Sequence, residues 1–88
     1  YGGDEFIILL PQTSAQDTFP VVERIRESIA NQRIAIDKGI FSVSTSIGIA
    51  EMMPTLDGEK IENIIQRADK AMYVAKAGGR NRTSIYIA

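Results

Sequence analysis

Two glycines and two carboxylates lead straight into an apolar run: Tyr1-Gly2-Gly3-Asp4-Glu5-Phe6, then Ile7-Ile8-Leu9-Leu10. A run this apolar belongs inside, so residues 5–10 read as a buried strand that Pro11 ends. Adjacent strand residues point to opposite faces, so Asp4 and Glu5 cannot both face a core. Burying an unpaired carboxylate is costly. The acidic pair is therefore either a plain solvated turn or a cation site. Glycine lets backbone approach a ligand closely and takes positive φ without steric cost. With two glycines beside the acids, a hard-cation and phosphate site is favoured. Mg²⁺ suits it, because this ion takes one or two carboxylates plus substrate phosphates.

Downstream, Thr13-Ser14-Ala15-Gln16-Asp17 supplies helix-start residues, and a helix is predicted to about Asn31. Val22, Ile25 and Ile29 share one face, with Phe19 one turn earlier; Glu23, Arg24, Arg26 and Glu27 cover the other. Pro20 fits the first turn if Asp17 is the cap and kinks the helix if Ser14 is. A hairpin is predicted next, with arms 34–36 and 41–43 around Asp37-Lys38-Gly39. Its second arm is expected to continue to Ala50. That places Val43, Thr45, Ile47 and Ile49 on one face and Ser44, Ser46, Gly48 and Ala50 on the other. The small-residue face admits a helix or a nucleotide at close range, and helix packing is the favoured reading. Met52-Met53-Pro54 breaks the strand, with both methionines read as gap-fillers.

A second helix is predicted from about Glu59 to Ala77, capped by Thr55 or Asp57. Its apolar stripe is Ile61, Ile64, Ile65, Ala68, Met72 and Ala75. Asp69 is read as structural, bonded to neighbouring backbone or to Arg67. Tyr73 is expected to pack its ring and keep its hydroxyl near water. Gly78-Gly79 stops the helix, Asn81 and Arg82 close the turn, and residues 83–87 form a last strand. Strand, helix, hairpin, helix and strand in this order predict an α+β fold, helices packed on an antiparallel or mixed sheet.

Composition narrows the chemistry. Eighty-eight residues make one small domain, and a net charge of −1 provides no basic field for nucleic acid. No apolar run approaches the roughly 20 residues that span a bilayer. The chain has no Cys and no His. Disulfides, thiolate nucleophiles, imidazole bases and ordinary zinc sites are thereby excluded. Carboxylate-held Mg²⁺ fits what is left, and a reducing cytoplasm agrees with it.

Gly2-Gly3-Asp4-Glu5-Phe6 resembles the signature of the GGDEF domain of diguanylate cyclases. Ser46-Ile47-Gly48-Ile49-Ala50, the segment Ala68 to Lys76, and Gly79-Arg80-Asn81 resemble further motifs of that family, in the family's order. The resemblance implies a palm-like nucleotidyl-cyclase fold. It places residues 1–88 in the C-terminal part of one such domain, with the N-terminal half truncated. Asp4 and Glu5 are then implied as the catalytic acids, Asp4 holding Mg²⁺ or Mn²⁺ and helping draw the proton from a ribose 3′-hydroxyl. Gly2 and Gly3 are implied as the backbone seat of the nucleotide, and Lys76 and Arg80 as contacts to the triphosphate. Without the family, Lys76 and Arg80 need mean no more than cations placed at the negative end of a helix.

The reaction implied is condensation of two GTP into cyclic di-GMP with release of two pyrophosphates. Each domain holds one GTP, so two copies must meet as a homodimer. No nucleic-acid partner and no direct membrane contact are expected. The location implied is the cytoplasm, although a whole parent protein can be membrane-tethered. A non-catalytic module that binds GTP or a partner is the alternative. The resemblance also implies that the first metal-binding Asp, the guanine-reading helices and an inhibitory Arg-x-x-Asp motif precede Tyr1. On that basis residues 1–88 alone are expected to be inactive, with an exposed sheet edge prone to pairing.

Overall fold

The computed structural model describes residues 13–37, 39–52 and 58–87. The glycine-acid turn, the expected strand 5–10, and Met53, Thr55 and Asp57 lie outside those residues.

Helix α1, Ala15–Ala30, begins at Ser14, whose Oγ accepts from the Asp17 amide at 3.0 Å. A cap side chain of this kind satisfies one of the four amides that a helix start leaves unpaired. The Ala15 amide, another of the four, donates to Glu51 Oε1, 2.7 Å away. With Ser14 as cap, Pro20 lies inside the helix rather than in its first turn. The Gln16 carbonyl loses its donor there, yet helical structure continues to Ala30.

Strands β1 (Ile34–Ile36) and β2 (Gly39–Phe41) form an antiparallel pair, Ile34 opposite Phe41 and Ile36 opposite Gly39. Gly39 thus belongs to the second arm, where its φ of 137° suits a residue without Cβ. The arm does not continue to Ala50. Residues 42–45 carry no strand pairing, and β3 (Ser46–Ile49) starts a separate sheet. Val43, expected on one face with Thr45, Ile47 and Ile49, is half exposed and lies outside the strand.

Helix α2, Ile61–Ala77, carries the chain from β3 to β4, Arg82–Ile85, which runs parallel to β3. A parallel pair needs a crossover of this kind. Antiparallel and parallel pairs with two packed helices make an α+β fold. Among the described residues the core comprises Ala15, Ile49, Ala71 and Ala75. α2 lies on β3 at Gly48. A Cβ built there would stand 2.1 Å from the Ala68 carbonyl oxygen and 2.3 Å from the Met72 nitrogen. The small-residue face of the strand therefore receives a helix.

Four expectations need correction here. α2 starts at Ile61 with Lys60 as a cap that makes no side-chain bond. Ile61 is exposed, whereas Ala75 is buried as expected and Ala71, outside the expected stripe, is buried with it. Tyr73 stands 71% exposed, because its position points away from β3 and β4. Met52, at 64% exposure, fills no gap. No helix among the described residues is long and apolar enough to cross a membrane.

Candidate functional site

The site is built on the C-terminal end of α2, where three linked bonds shape the chain. The Gly78 amide donates to the Val74 carbonyl at 2.9 Å, and Gly79 donates to Lys76 at 3.3 Å. Arg80 donates to Ala75 at 3.0 Å. The last two bonds are the pair that defines a Schellman ending. Gly79 takes φ 126°, which a glycine accepts without strain. Arg80 (φ 63°) and Asn81 (φ 48°) then hold left-handed conformations that cost free energy for any side chain.

That turn is braced on two sides. The Arg82 side chain folds back over the glycine pair, its Nε donating to the Arg80 carbonyl at 3.1 Å. A Cβ on Gly79 would meet Arg82 Nη2 at 2.7 Å, so both glycines serve this close approach. From α1, Arg26 Nη1 donates to Asn81 Oδ1 at 2.8 Å and to the Asn81 carbonyl at 3.2 Å. The other donors of Arg26 are held by Glu23: Nε at 3.0 and 3.2 Å, Nη2 at 2.6 Å. Hydrogen bonding to Arg26 holds the Glu23 carboxyl below the usual glutamate range. Glu23 and Arg26, on the charged face of α1, thus turn towards the end of α2. Asn81 and Arg82 do close the turn as expected, and Asn81 also receives α1.

Lys76 and Arg80 share this end of α2, Lys76 half-buried in the last turn and Arg80 exposed beyond it. Among the described residues neither side chain makes a hydrogen bond or ion pair within the chain. Both cations are free to meet an anionic ligand. Asp4, Glu5, Gly2 and Gly3 lie outside the described residues. Among the described residues no cluster of His, Cys, Asp or Glu could hold a metal ion. Asp69 is exposed, and Arg67 bonds elsewhere, to both carboxylate oxygens of Glu59 and, at 2.9 Å, to the Glu51 carbonyl.

The sequence profile of the diguanylate cyclase GGDEF domain matches residues 1–82. The chain belongs to the GGDEF family. It is 42% identical over 85 residues to diguanylate cyclase A of Treponema denticola, spanning 97% of this chain and 22% of that protein. Diguanylate cyclase DosC of Escherichia coli K12 is 40% identical over 87 residues, which are 98% of this chain and 18% of DosC. The chain thus spans about a fifth of the length of these relatives. The active GGEEF domain of a diguanylate cyclase from Vibrio cholerae superposes with a TM-score of 0.78 at 32% identity, over all of this chain and 54% of that one. The GGDEF domain of DgcB from Caulobacter crescentus, solved in complex with c-di-GMP, superposes with a TM-score of 0.70 at 28% identity. It covers 90% of this chain and 45% of that one. The chain has the α+β architecture that its sequence leads one to expect of this family.

Of the residues that sequence reasoning did not single out, Arg26 matters most at this site. Its contact with Asn81 bridges 55 positions, so no local pattern reports it. A weak signal was available in Glu23, which sits three positions earlier and holds the guanidinium in place.

Proposed function

We propose that the protein carrying this chain is a diguanylate cyclase, condensing two GTP into c-di-GMP and two pyrophosphates. The observation that carries this reading is the likeness, over the whole chain, to a GGEEF domain that is itself active. Gly2-Gly3-Asp4-Glu5-Phe6 is intact in the sequence, which favours catalysis over a purely regulatory role.

In this reading Lys76 and Arg80 bind the triphosphate, Lys76 as a point charge and Arg80 as a planar fork. Gly2 and Gly3 give the nucleotide backbone access, and Asp4 and Glu5 form the acidic wall at the reacting hydroxyl. A donor set without His or Cys offers oxygen ligands, which fit Mg²⁺ or Mn²⁺, and Asp4 would hold the ion. When bound, such an ion lowers the pKa of an oxygen nucleophile and neutralises phosphate charge. Asp4 then serves to draw the proton from the 3′-hydroxyl. The oxygen so freed attacks the α-phosphate of the second GTP, and pyrophosphate leaves. Because each domain seats one GTP, two copies meet across a two-fold axis. A requirement for GTP places the domain on the cytoplasmic side.

The assay is incubation of the full-length protein with GTP and Mg²⁺ at concentrations that favour the dimer. The expected result is c-di-GMP and pyrophosphate in a one-to-two ratio. GTP binding with no c-di-GMP would instead favour the regulatory module. Residues 1–88 alone, matching about half of each solved domain, are expected to give no product.

A further inference from the structure

The residue that controls how Arg80 is presented lies on the other helix. We infer that Arg26 is a positioning residue for triphosphate binding, fixing the left-handed turn that displays Arg80. This rests on the reading of Arg80 as a phosphate contact.

Arg80 occupies an energetically unfavourable backbone state, as does Asn81 after it. Such a pair persists only when surrounding contacts over-determine it. Three contacts do so: the Arg80 amide to Ala75, the Arg80 carbonyl to Arg82, and Asn81 to Arg26. The first two are local to α2 and its own ending. Arg26 supplies the third from a separate element, gripping Asn81 by both its backbone and its side-chain oxygen.

The guanidinium is itself fixed. Glu23 takes its remaining edge with both carboxylate oxygens, and the Arg26 side chain is 14% exposed. A fork held along one edge has little freedom along the other. The chain thus links Glu23, Arg26, Asn81 and Arg80 in sequence, and its last member is an unpaired cation facing solvent. Arg26 spends its donors on Glu23 and Asn81. What it does is remove alternatives from the segment that has to meet a polyphosphate, and a pre-ordered cation loses less entropy on binding.

The test compares wild type, Arg26→Ala, Arg80→Ala and the double variant in the full-length protein. Each is titrated with a non-hydrolysable GTP analogue and with GMP, at fixed salt. Arg80→Ala is expected to lower GTP-analogue affinity about 10-fold or more and to spare GMP. Arg26→Ala should lower GTP-analogue affinity roughly 3- to 10-fold, again sparing GMP, with no further loss in the Arg80→Ala background. Equal losses for both nucleotides, or a loss that persists when Arg80 is absent, would overturn the positioning role while leaving Arg80 as a phosphate contact. An unchanged GTP-to-GMP ratio in Arg80→Ala would remove Arg80's role and Arg26's with it. Should Arg26→Ala fail to fold, Asn81→Gly replaces it. Glycine accepts the left-handed φ but lacks Oδ1, so the same selective loss is expected in smaller measure. Wild-type selectivity in that variant would contradict the inference.

Discussion

Gly48 of β3 lies beneath Met72 of α2 so closely that a single added methyl would stand 2.3 Å from the Met72 nitrogen and 2.9 Å from its Cα. The obstacle is helix backbone, which cannot swing aside as a flexible side chain would. Gly48→Ala must therefore lift α2 from the sheet. The expected cost is about 3 kcal/mol or more, the upper end for overpacking. Urea unfolding of the domain checks it, and a loss under about 1 kcal/mol would show that α2 does not press on this strand.

Ser14 caps α1 through its hydroxyl. Ser14→Ala should cost about 1 kcal/mol, while Ser14→Gly should cost only a few tenths. Glu51→Gln, which weakens the acceptor at the Ala15 amide, should also destabilise the domain. Chemical denaturation of the three variants tests both caps.

Glu23 gives the fold a specific acid sensitivity. Its folded pKa is lowered, chiefly by hydrogen bonding to Arg26. A depressed carboxyl stabilises the fold above the unfolded glutamate value of about 4.3. That contribution is lost as pH falls through the lower folded value. Thermal melts should show wild type above Glu23→Gln at neutral pH, with the gap closing below about pH 4. A gap that stays constant into acid would mean that Glu23 is not held by Arg26 in the folded state.

Arg67 ties the segment after β3 to α2, gripping the Glu59 carboxylate and the Glu51 carbonyl. The Glu59 side chain is only 7% exposed, so removing the Arg67 guanidinium takes a charge-assisted partner from a carboxylate that has little access to water. Arg67→Lys cannot bridge both groups, since an ammonium lacks the planar fork. Both Arg67→Lys and Arg67→Ala should lower the melting temperature, Arg67→Ala by more. An unchanged Arg67→Lys would mean that the two acceptors are held independently.

Much of this architecture was written locally. The helices announced themselves through Val22, Ile29, Ile64, Ile65 and Ala68, whose spacing follows a helical repeat. The glycine pair announced where α2 stops. Gly48 announced a close approach, and α2 fills it. Other features depend on partners that a linear pattern cannot name. Alternation from Phe41 through Thr45 looks like continuous strand, but strand needs a neighbour for its amides, and residues 42–45 have none paired as strand. Ala71 lies outside the stripe that the spacing of the larger apolar residues marks, yet it is buried beside Ala75. Tyr73 and Met52 looked like packing residues by type alone, and their positions place them outward. At the site, the cations at the end of α2 were legible from motif and charge. Their brace was not, since Arg26 and Asn81 meet only through the fold.

In the proposed function, Asp4 and the pair Lys76 and Arg80 seat the same nucleotide. A crystal structure of the full-length protein with a non-hydrolysable GTP analogue and Mn²⁺ tests it most directly, the ion being located by its anomalous signal. The expected result is Asp4 on the ion, and Lys76 and Arg80 on the triphosphate of that same nucleotide. A nucleotide whose phosphates lie away from both cations, or an ion bound without Asp4, would contradict it.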